Sequence, residues 1–229
     1  MSPIIAGIGA VFSVAAFFFY VIAASGYSKD YKVLKDCQWF YYDGKVPQGD
    51  DNYYYYAKPD DDYGKLTTTV YEADSKFYFG LKGYSISISN RPRHFYYYGT
   101  YKYDNINDKC DSPGKSAFAL TLVACILSFI TIITNGAGGV SEETVVKAVS
   151  AVLSIIACLF GMIAVGVFMT SCYNKFHDLY DDLDSSDDLH YGNGSILALT
   201  ALFCNFFAFI LAIVNIAAGG STTPLADQK

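Results

Sequence analysis

Few residues in this sequence are of types that do covalent chemistry, and two of the six cysteines stand apart from the rest. Cys37 and Cys110 lie near the two ends of a polar segment, residues 26–115, whereas the other four cysteines fall in or at the ends of apolar segments. This placement predicts a disulfide bond between Cys37 and Cys110, which requires an oxidising, non-cytosolic compartment. The alternative is a pair of free thiols on a cytosolic loop.

No other group of residues has the spacing of a chemical site. The three histidines lack the spacing of metal ligands. Residues 182–188 alternate carboxylates as a calcium loop does, but Asp187 stands where such a loop requires glycine. This is a solvated acidic loop, with weak surface binding of calcium as the alternative. We therefore predict no catalytic residue, no cofactor site and no metal site, and a protein that is not an enzyme.

Four long apolar segments must position everything else in the chain. Each has the roughly 20 residues that a helix needs to cross about 30 Å of hydrocarbon, and none carries a charged side chain in its interior. The chain is 52% hydrophobic and only 17% charged. We predict an all-α transmembrane four-helix bundle. Its apolar segments are Ile4–Ser25, Ser116–Asn135, Lys147–Tyr173 and Ser195–Gly219.

The loops between these segments give the predicted topology. We expect spans at 1–25, 116–135, 147–173 and 195–219, extracellular loops at 26–115 and 174–194, and a cytoplasmic loop and tail at 136–146 and 220–229. The positive-inside rule decides little, because the short loops hold only Lys147 and Lys175. The cysteine pair and the acidic composition of 174–194 place those two loops outside. The expected location is the plasma membrane, with both termini cytoplasmic.

The first loop has the periodicity of strands. Residues Tyr84–Ser89 alternate between isoleucine and serine after the first tyrosine, which is typical of a strand with one buried face. We predict a small antiparallel sheet of three to five strands, formed mainly by this loop. The other predicted strands are Leu66–Tyr71, Lys76–Phe79 and Phe95–Tyr103, with a turn at Glu72–Ser75 and irregular structure at Asp43–Gly64.

Seventeen of the 21 tyrosines lie in the same loop. Consecutive strand residues face opposite sides, so runs of tyrosine must occupy both faces of a sheet. They form a protein–protein contact surface, fill a small extracellular domain and anchor it at the membrane, or stack on carbohydrate. The candidate interaction residues are Tyr53, Tyr54, Tyr55, Tyr56, Tyr96, Tyr97 and Tyr98.

Small residues within the spans predict close helix packing. Gly9 with Ser13, and Ala157 with Gly161, have the small-x-x-x-small spacing that lets helix backbones approach. Asn205 in the fourth segment is expected to bond to another helix. The apolar segments contain no Asp, Glu, Lys, Arg or His in their interiors, which weighs against a pump or a secondary transporter.

The layout resembles the claudin superfamily of four-span proteins, which includes peripheral myelin proteins, channel γ subunits and fungal cortical-patch tetraspans. That family's first loop carries a tryptophan, a Gly-Leu-Trp strand and a cysteine pair. Here Trp39 is the only tryptophan, and Phe79–Tyr84 is similar to the Gly-Leu-Trp strand with lysine in place of its tryptophan. Ser85 stands near the first missing cysteine. The resemblance implies a rearranged disulfide, in which Cys37 replaces the lost partner of Cys110.

These features predict a structural protein that organises a cell-surface membrane through lateral or extracellular self-association. The alternative is an accessory subunit of a channel, receptor or other membrane complex, and the third possibility is a paracellular-type pore. The expected partners are membrane lipids, further copies of the chain in an oligomer or lateral array, and other membrane proteins. No basic stripe predicts nucleic-acid binding.

Overall fold

Four long helices cross the molecule side by side. The computed structural model describes residues 2–45, 74–90, 95–103, 108–140, 144–181 and 189–220. Within these ranges each long helix contains an apolar stretch with a mean hydropathy of 2.3 to 2.6, long enough to span a membrane. The predicted fold class, a four-helix bundle with a small antiparallel sheet, is confirmed, and the protein is an integral membrane protein. The long helices are α1 (Ser2–Ser25), α3 (Asp108–Val140), α4 (Thr144–Phe168) and α6 (Asn193–Gly220).

The packing pattern of the bundle is that of a protein surrounded by lipid. Helices α1 and α4 each pack against both α3 and α6, so α1 faces α4, and α3 faces α6, across the diagonals of the bundle. Small side chains such as Ala16, Ala124 and Ala201 are fully buried, whereas Phe203 and Val11 are more than half exposed. Lipid is as apolar as the helix interior, so helices associate through close contact of small residues.

A five-stranded antiparallel sheet lies at one end of the bundle, in the order β4-β3-β2-β1-β5. Four strands come from the chain between α1 and α3, and β5 comes from the connection that precedes α6. A short helix, α2 (Tyr31–Cys37), precedes the first strand. The strands are β1 (Phe40–Lys45), β2 (Asp74–Phe79), β3 (Gly83–Asn90), β4 (Phe95–Lys102) and β5 (Leu189–Tyr191).

Two of the local predictions in this region were wrong. The turn predicted at Glu72–Ser75 is partly strand, because Asp74 and Ser75 pair with Lys45 and Gly44. Those partners belong to β1, whose last residues fell within the segment predicted as irregular. Asp43 also forms an ion pair with Lys76 across the two strands, so cross-strand pairing outweighs the low strand preference of aspartate and glycine. The predicted strand Leu66–Tyr71 and residues 46–64 lie outside the described residues.

The sheet rests on a continuation of α4. This helix passes through a π-helical segment, Met169–Tyr173, directly into α5 (Asn174–Asp181). Phe176 of α5 stacks against Phe79 of β2 with ring centroids 4.5 Å apart, and Phe79 stacks on Phe40 of β1 at 4.4 Å. Phe40 also contacts Phe168 at the end of α4, at 5.9 Å. An aromatic core therefore joins the sheet to the helix beneath it.

The disulfide prediction named the wrong partner for Cys110. Cys110 is bonded to Cys172, with Cα atoms 5.0 Å apart, and Cys37 is a free thiol. Cys172 lies near the end of the third predicted apolar segment, Lys147–Tyr173. The unbroken continuation of α4 carries it to the sheet end of the bundle, beside the first turn of α3. Burial, and then the charge of Asp36, raise the pKa of the Cys37 thiol, which disfavours the reactive thiolate.

Loss of the Cys110–Cys172 bond should destabilise the protein, whereas loss of Cys37 should not. The bond joins positions 62 residues apart in sequence, and a closed loop of that length contributes up to about 4 kcal/mol by the chain-entropy estimate. We expect Cys172→Ser to lower the thermal midpoint of the detergent-purified protein and to remove the gel mobility shift between reduced and oxidised samples. Cys37→Ser is the matched control. A lost mobility shift in Cys37→Ser, with Cys172→Ser unchanged, would restore the original pairing.

Candidate assembly surface

The indole of Trp39 joins the sheet to two helices. Its side chain is fully buried, and its Nε1 donates a hydrogen bond to the Ala23 carbonyl near the end of α1, at 3.0 Å. Its ring contacts Phe168 of α4 edge-on, with centroids 5.3 Å apart. Its backbone amide donates to the Phe79 carbonyl at 2.7 Å, so the same residue begins the pairing of β1 with β2. The position of the sheet is therefore set from α1 and α4 together.

A close backbone contact holds the turn between β2 and β3 against the end of α1. A Cβ atom at Gly80 would lie 2.3 Å from the Gly26 carbonyl oxygen, so only glycine fits there. The Leu81 amide donates to that same Gly26 carbonyl at 2.7 Å, and the Tyr103 hydroxyl donates to the Gly80 carbonyl at 2.6 Å. Complete burial, with the neighbouring Tyr84 phenol, raises the pKa of Tyr103 well above its usual range. Tyr103 therefore remains a neutral hydrogen-bond donor.

Strands β3 and β4 are linked by a pair of hydroxyl groups. Ser85 and Thr100 are register partners, and their side-chain oxygens lie 3.1 Å apart. Ser85 is fully buried, so this hydrogen bond satisfies a polar group that would otherwise be costly to bury. The Ser85 side chain thus links β3 to β4 through a cross-strand hydrogen bond.

The candidate tyrosines of the second run lie on strand β4, at one edge of the sheet. The register pairs Tyr96 with Ser89, Tyr97 with Ile88 and Tyr98 with Ser87. Tyr84 and Ile86 of β3 pack into the core, and alternate residues share a face. Positions 96 and 98 therefore share one face of β4, and position 97 belongs to the other face. The first run, Tyr53, Tyr54, Tyr55 and Tyr56, lies outside the described residues.

The other edge of the sheet carries a smaller aromatic cluster that the sequence analysis missed. Tyr191 of β5 is 57% exposed and stacks on Tyr173 of the π-helical segment, with centroids 5.0 Å apart. Tyr41 packs beside His190 at 5.2 Å. β5 has only three residues, too few for a recognisable strand pattern. In the sequence, only the aromatic residues themselves could have indicated this cluster.

The first of the two predicted small-residue pairs, Gly9 and Ser13, lies against a polar side chain. The Asn135 amide of α3 donates to Ser13 Oγ at 3.2 Å, and a Cβ atom at Gly9 would lie 3.6 Å from the same amide. Ser150 of α4 donates to the Asn135 side-chain oxygen. Three helices therefore share one buried hydrogen-bonded group. Asn135 was not predicted as a packing residue, because this residue is the last of an apolar segment.

The second pair, Ala157 and Gly161, receives a tyrosine from the facing helix. Tyr20 of α1 is fully buried, and its hydroxyl donates to the Ala157 carbonyl at 3.4 Å. A Cβ atom at Gly161 would lie 2.1 Å from the Tyr20 hydroxyl, so Gly161 provides the space for this ring. Tyr20 was missed, although a lone tyrosine in an apolar run is a recognisable signal.

Asn205 crosses the other diagonal of the bundle. Its side-chain amide donates to Ser128 Oγ of α3 at 3.0 Å, and both residues are fully buried. Polar side chains thus join α1 to α4 and α6 to α3 through the interior. Within the described ranges no cluster of His, Cys, Asp and Glu could hold a metal ion.

The space at Gly161 should be sensitive to one added methyl group. We expect Gly161→Ala to destabilise the protein by roughly 1–3 kcal/mol, because the methyl would displace the Tyr20 ring from a packed interior. Gly166→Ala is the control on the same helix, since a Cβ atom there would meet nothing within 4 Å. Thermal stability in detergent measures both. Equal stability of the two variants would contradict the placement of Tyr20.

Comparison with other proteins does not assign the chain to a family. No protein-family model matches the sequence, and no curated protein matches it. The functional proposal therefore rests on the arrangement of the chain's own residues.

Proposed function

We infer that this protein organises a cell-surface membrane by associating with further copies of itself, within the bilayer or through its sheet. The observation that carries this proposal is a sheet fixed to the helix bundle and ending in an eight-residue strand, β4. Among the described residues, β4 pairs with β3 alone. β4 is thus an edge strand of the described sheet, and an edge strand is a ready template for pairing with another chain.

The fixed position of the sheet supports assembly in a defined geometry. Trp39 bonds to α1 and packs on α4, and the Cys110–Cys172 bond ties the continuation of α4 to α3. A preorganised surface loses less conformational entropy on binding than a mobile loop does. Successive copies would therefore meet at the same angle, as an extended array requires.

The interior of the bundle supports a structural role rather than transport. Tyr20 and Asn205 cross its two diagonals, each hydrogen-bonded to the facing helix. Transporters place their substrate and coupling-ion sites at such central positions and use ionisable groups or broken helices there. Here the central polar groups are neutral and paired.

The proposed orientation has the sheet outside the cell and both termini in the cytosol. A disulfide at the sheet end supports this, because such bonds persist in oxidising compartments. The start of α1 and the end of α6 lie at the opposite end of the bundle. The resemblance to claudin-like four-span proteins agrees with this layout.

This orientation predicts different protease sensitivity at the two ends. Protease added to intact cells should cut within residues 46–64, whose aspartate, proline and glycine content is typical of an exposed loop. An epitope tag placed after Lys229 should be detected only after permeabilisation. Antibody access to the tag on intact cells would overturn the orientation.

A role as accessory subunit of a larger complex is the second candidate. The aromatic cluster at the β5 edge favours it, because Tyr191 is exposed and held in place by stacking on Tyr173. Tyrosine is enriched where proteins meet, since it provides large contact area at small rotamer cost. This edge would dock a different chain.

Substitutions at the two edges separate these candidates. If copies associate through β4, Tyr96→Ser with Tyr98→Ser should reduce the particle size of the protein extracted in mild detergent, since loss of interface anchors costs roughly 2 kcal/mol or more each. Tyr41→Ser with Tyr191→Ser is the matched control at the other edge. Light scattering measures the mass of each particle.

The outcomes are distinct. Homogeneous large particles that shrink only with the β4 variant support self-association through that edge. A stoichiometric complex with different chains, lost only with the β5-edge variant, supports the accessory subunit. A monomeric wild-type protein without other chains would contradict both.

A further inference from the structure

Three lysines converge on one pocket beside the end of α1. The pocket has a volume of about 170 Å³ and is lined by the turn that follows α1 and by the adjoining ends of β3 and β4. Its lysines, Lys29, Lys82 and Lys102, come from three separate parts of the chain. The remaining lining residues are Ser28, Gly83, Thr100 and Tyr101.

The three lysines of this pocket form no ion pair within the part of the chain that the structure describes. Within the described part of the chain, the ion pairs involve other lysines, Lys76 with Asp43 and Lys115 with Asp111. Asp30 follows Lys29 directly, but its carboxylate caps α2 by accepting from the Lys32 amide at 2.8 Å. The first loop as a whole has equal numbers of acidic and basic residues, so three lysines in one pocket are a local excess.

The pocket lies where the chain leaves the apolar part of the bundle. Helix α1 ends at Ser25, and Tyr27 stacks on Phe118 of α3 with ring centroids 4.2 Å apart. The Lys82 ammonium group lies 4.6 Å from the centroid of the Tyr27 ring. Phe118, Tyr27 and Lys82 thus form a gradient from apolar ring to phenol to cation. Such a gradient suits the boundary between hydrocarbon and headgroups, where tyrosine and lysine side chains anchor.

Hydroxyl groups complete the polar lining. The Ser28 side-chain oxygen accepts from the Asp30 amide at 3.0 Å, so its own hydrogen remains available for a ligand. Thr100 is exposed at the pocket, with its oxygen beside that of Ser85. Lysine and hydroxyl side chains are groups that bind phosphate oxygens, and residues of both kinds line this pocket.

We propose that this pocket binds the phosphate group of an anionic phospholipid headgroup in the leaflet next to the sheet. Lys29, Lys82 and Lys102 neutralise the phosphate, Ser28 donates a hydrogen bond to it, and the acyl chains lie along α1 and α3. The Tyr27–Phe118 stack favours a lipid over a free anion, because it places apolar surface directly beneath the cationic site. Lipid bound there would contact the turn that connects α1 to the sheet.

Lipid retention by the purified full-length protein tests this site. Native mass spectrometry in detergent would compare binding of dioctanoylphosphatidylglycerol with that of dioctanoylphosphatidylcholine. We expect the anionic lipid to bind at least about tenfold more tightly, since each lysine at a charged headgroup contributes about fivefold in affinity. The preference should weaken as salt is raised, because the site is open to solvent.

A charge-matched pair of variants locates the site. K29Q/K82Q/K102Q should reduce the affinity for the anionic lipid at least about tenfold. K32Q/K35Q/K175Q removes the same charge from exposed lysines of α2 and α5 and should change it less than about twofold. K82R keeps the cation over Tyr27 and should retain binding. Thermal stability and the Cys110–Cys172 bond are measured for each variant, and only variants that keep both are compared.

Three results would overturn the proposal. The first is equal binding of the two lipids by the wild-type protein. The second is an equal loss in the two triple variants, which would indicate general electrostatic attraction. The third is displacement of the anionic lipid by millimolar inorganic phosphate, with the phosphate binding alone just as tightly. That result would make the pocket a site for soluble anions.

Discussion

The rest of the structure depends on the contacts of one buried residue, Trp39. One side chain bonds to α1, packs on α4 and starts the pairing of β1 with β2. The indole nitrogen is a donor that must be satisfied when buried, and the Ala23 carbonyl satisfies it. Near the end of a helix the last carbonyls lack partners within the helix. The Ala23 carbonyl also accepts from the Gly26 amide at 3.2 Å, so the indole bonds to the second lone pair of this oxygen. The sheet therefore attaches at the last turn of the membrane helix.

The parts predicted from the sequence are those that a short segment determines by itself. An apolar run of this length forms a helix in lipid, and the alternation of Tyr84–Ser89 specifies a strand. β1 and β5 depend instead on their partners: Asp43 and Gly44 are strand residues only because β2 lies beside them. The same holds for the disulfide. Cys172 reaches Cys110 because the end of the third apolar segment lies beside the first turn of α3, an arrangement of helices that composition does not reveal.

The candidate sites divide in the same way. Gly9, Ser13, Ala157, Gly161 and Asn205 were predicted to be packing residues because small residues let membrane helices approach each other and an amide in a membrane helix bonds to a neighbouring helix. Their partners, Asn135, Tyr20 and Ser128, belong to other helices and were not predictable without the arrangement of the bundle. The lysine pocket is a further case, since its three cations are separated in sequence and meet only when the sheet is folded.

Because α4 continues into α5, a tilt of this helix would also turn the sheet that is packed against it. Phe168 at the end of α4 packs against β1, and Phe176 within α5 packs against both β1 and β2. Membrane helices change their tilt when the hydrocarbon thickness changes. A rigid helix that tilts in the bilayer must turn whatever is fixed to its end through the same angle. The thickness of the surrounding membrane would thus be converted into the direction in which the β4 edge points.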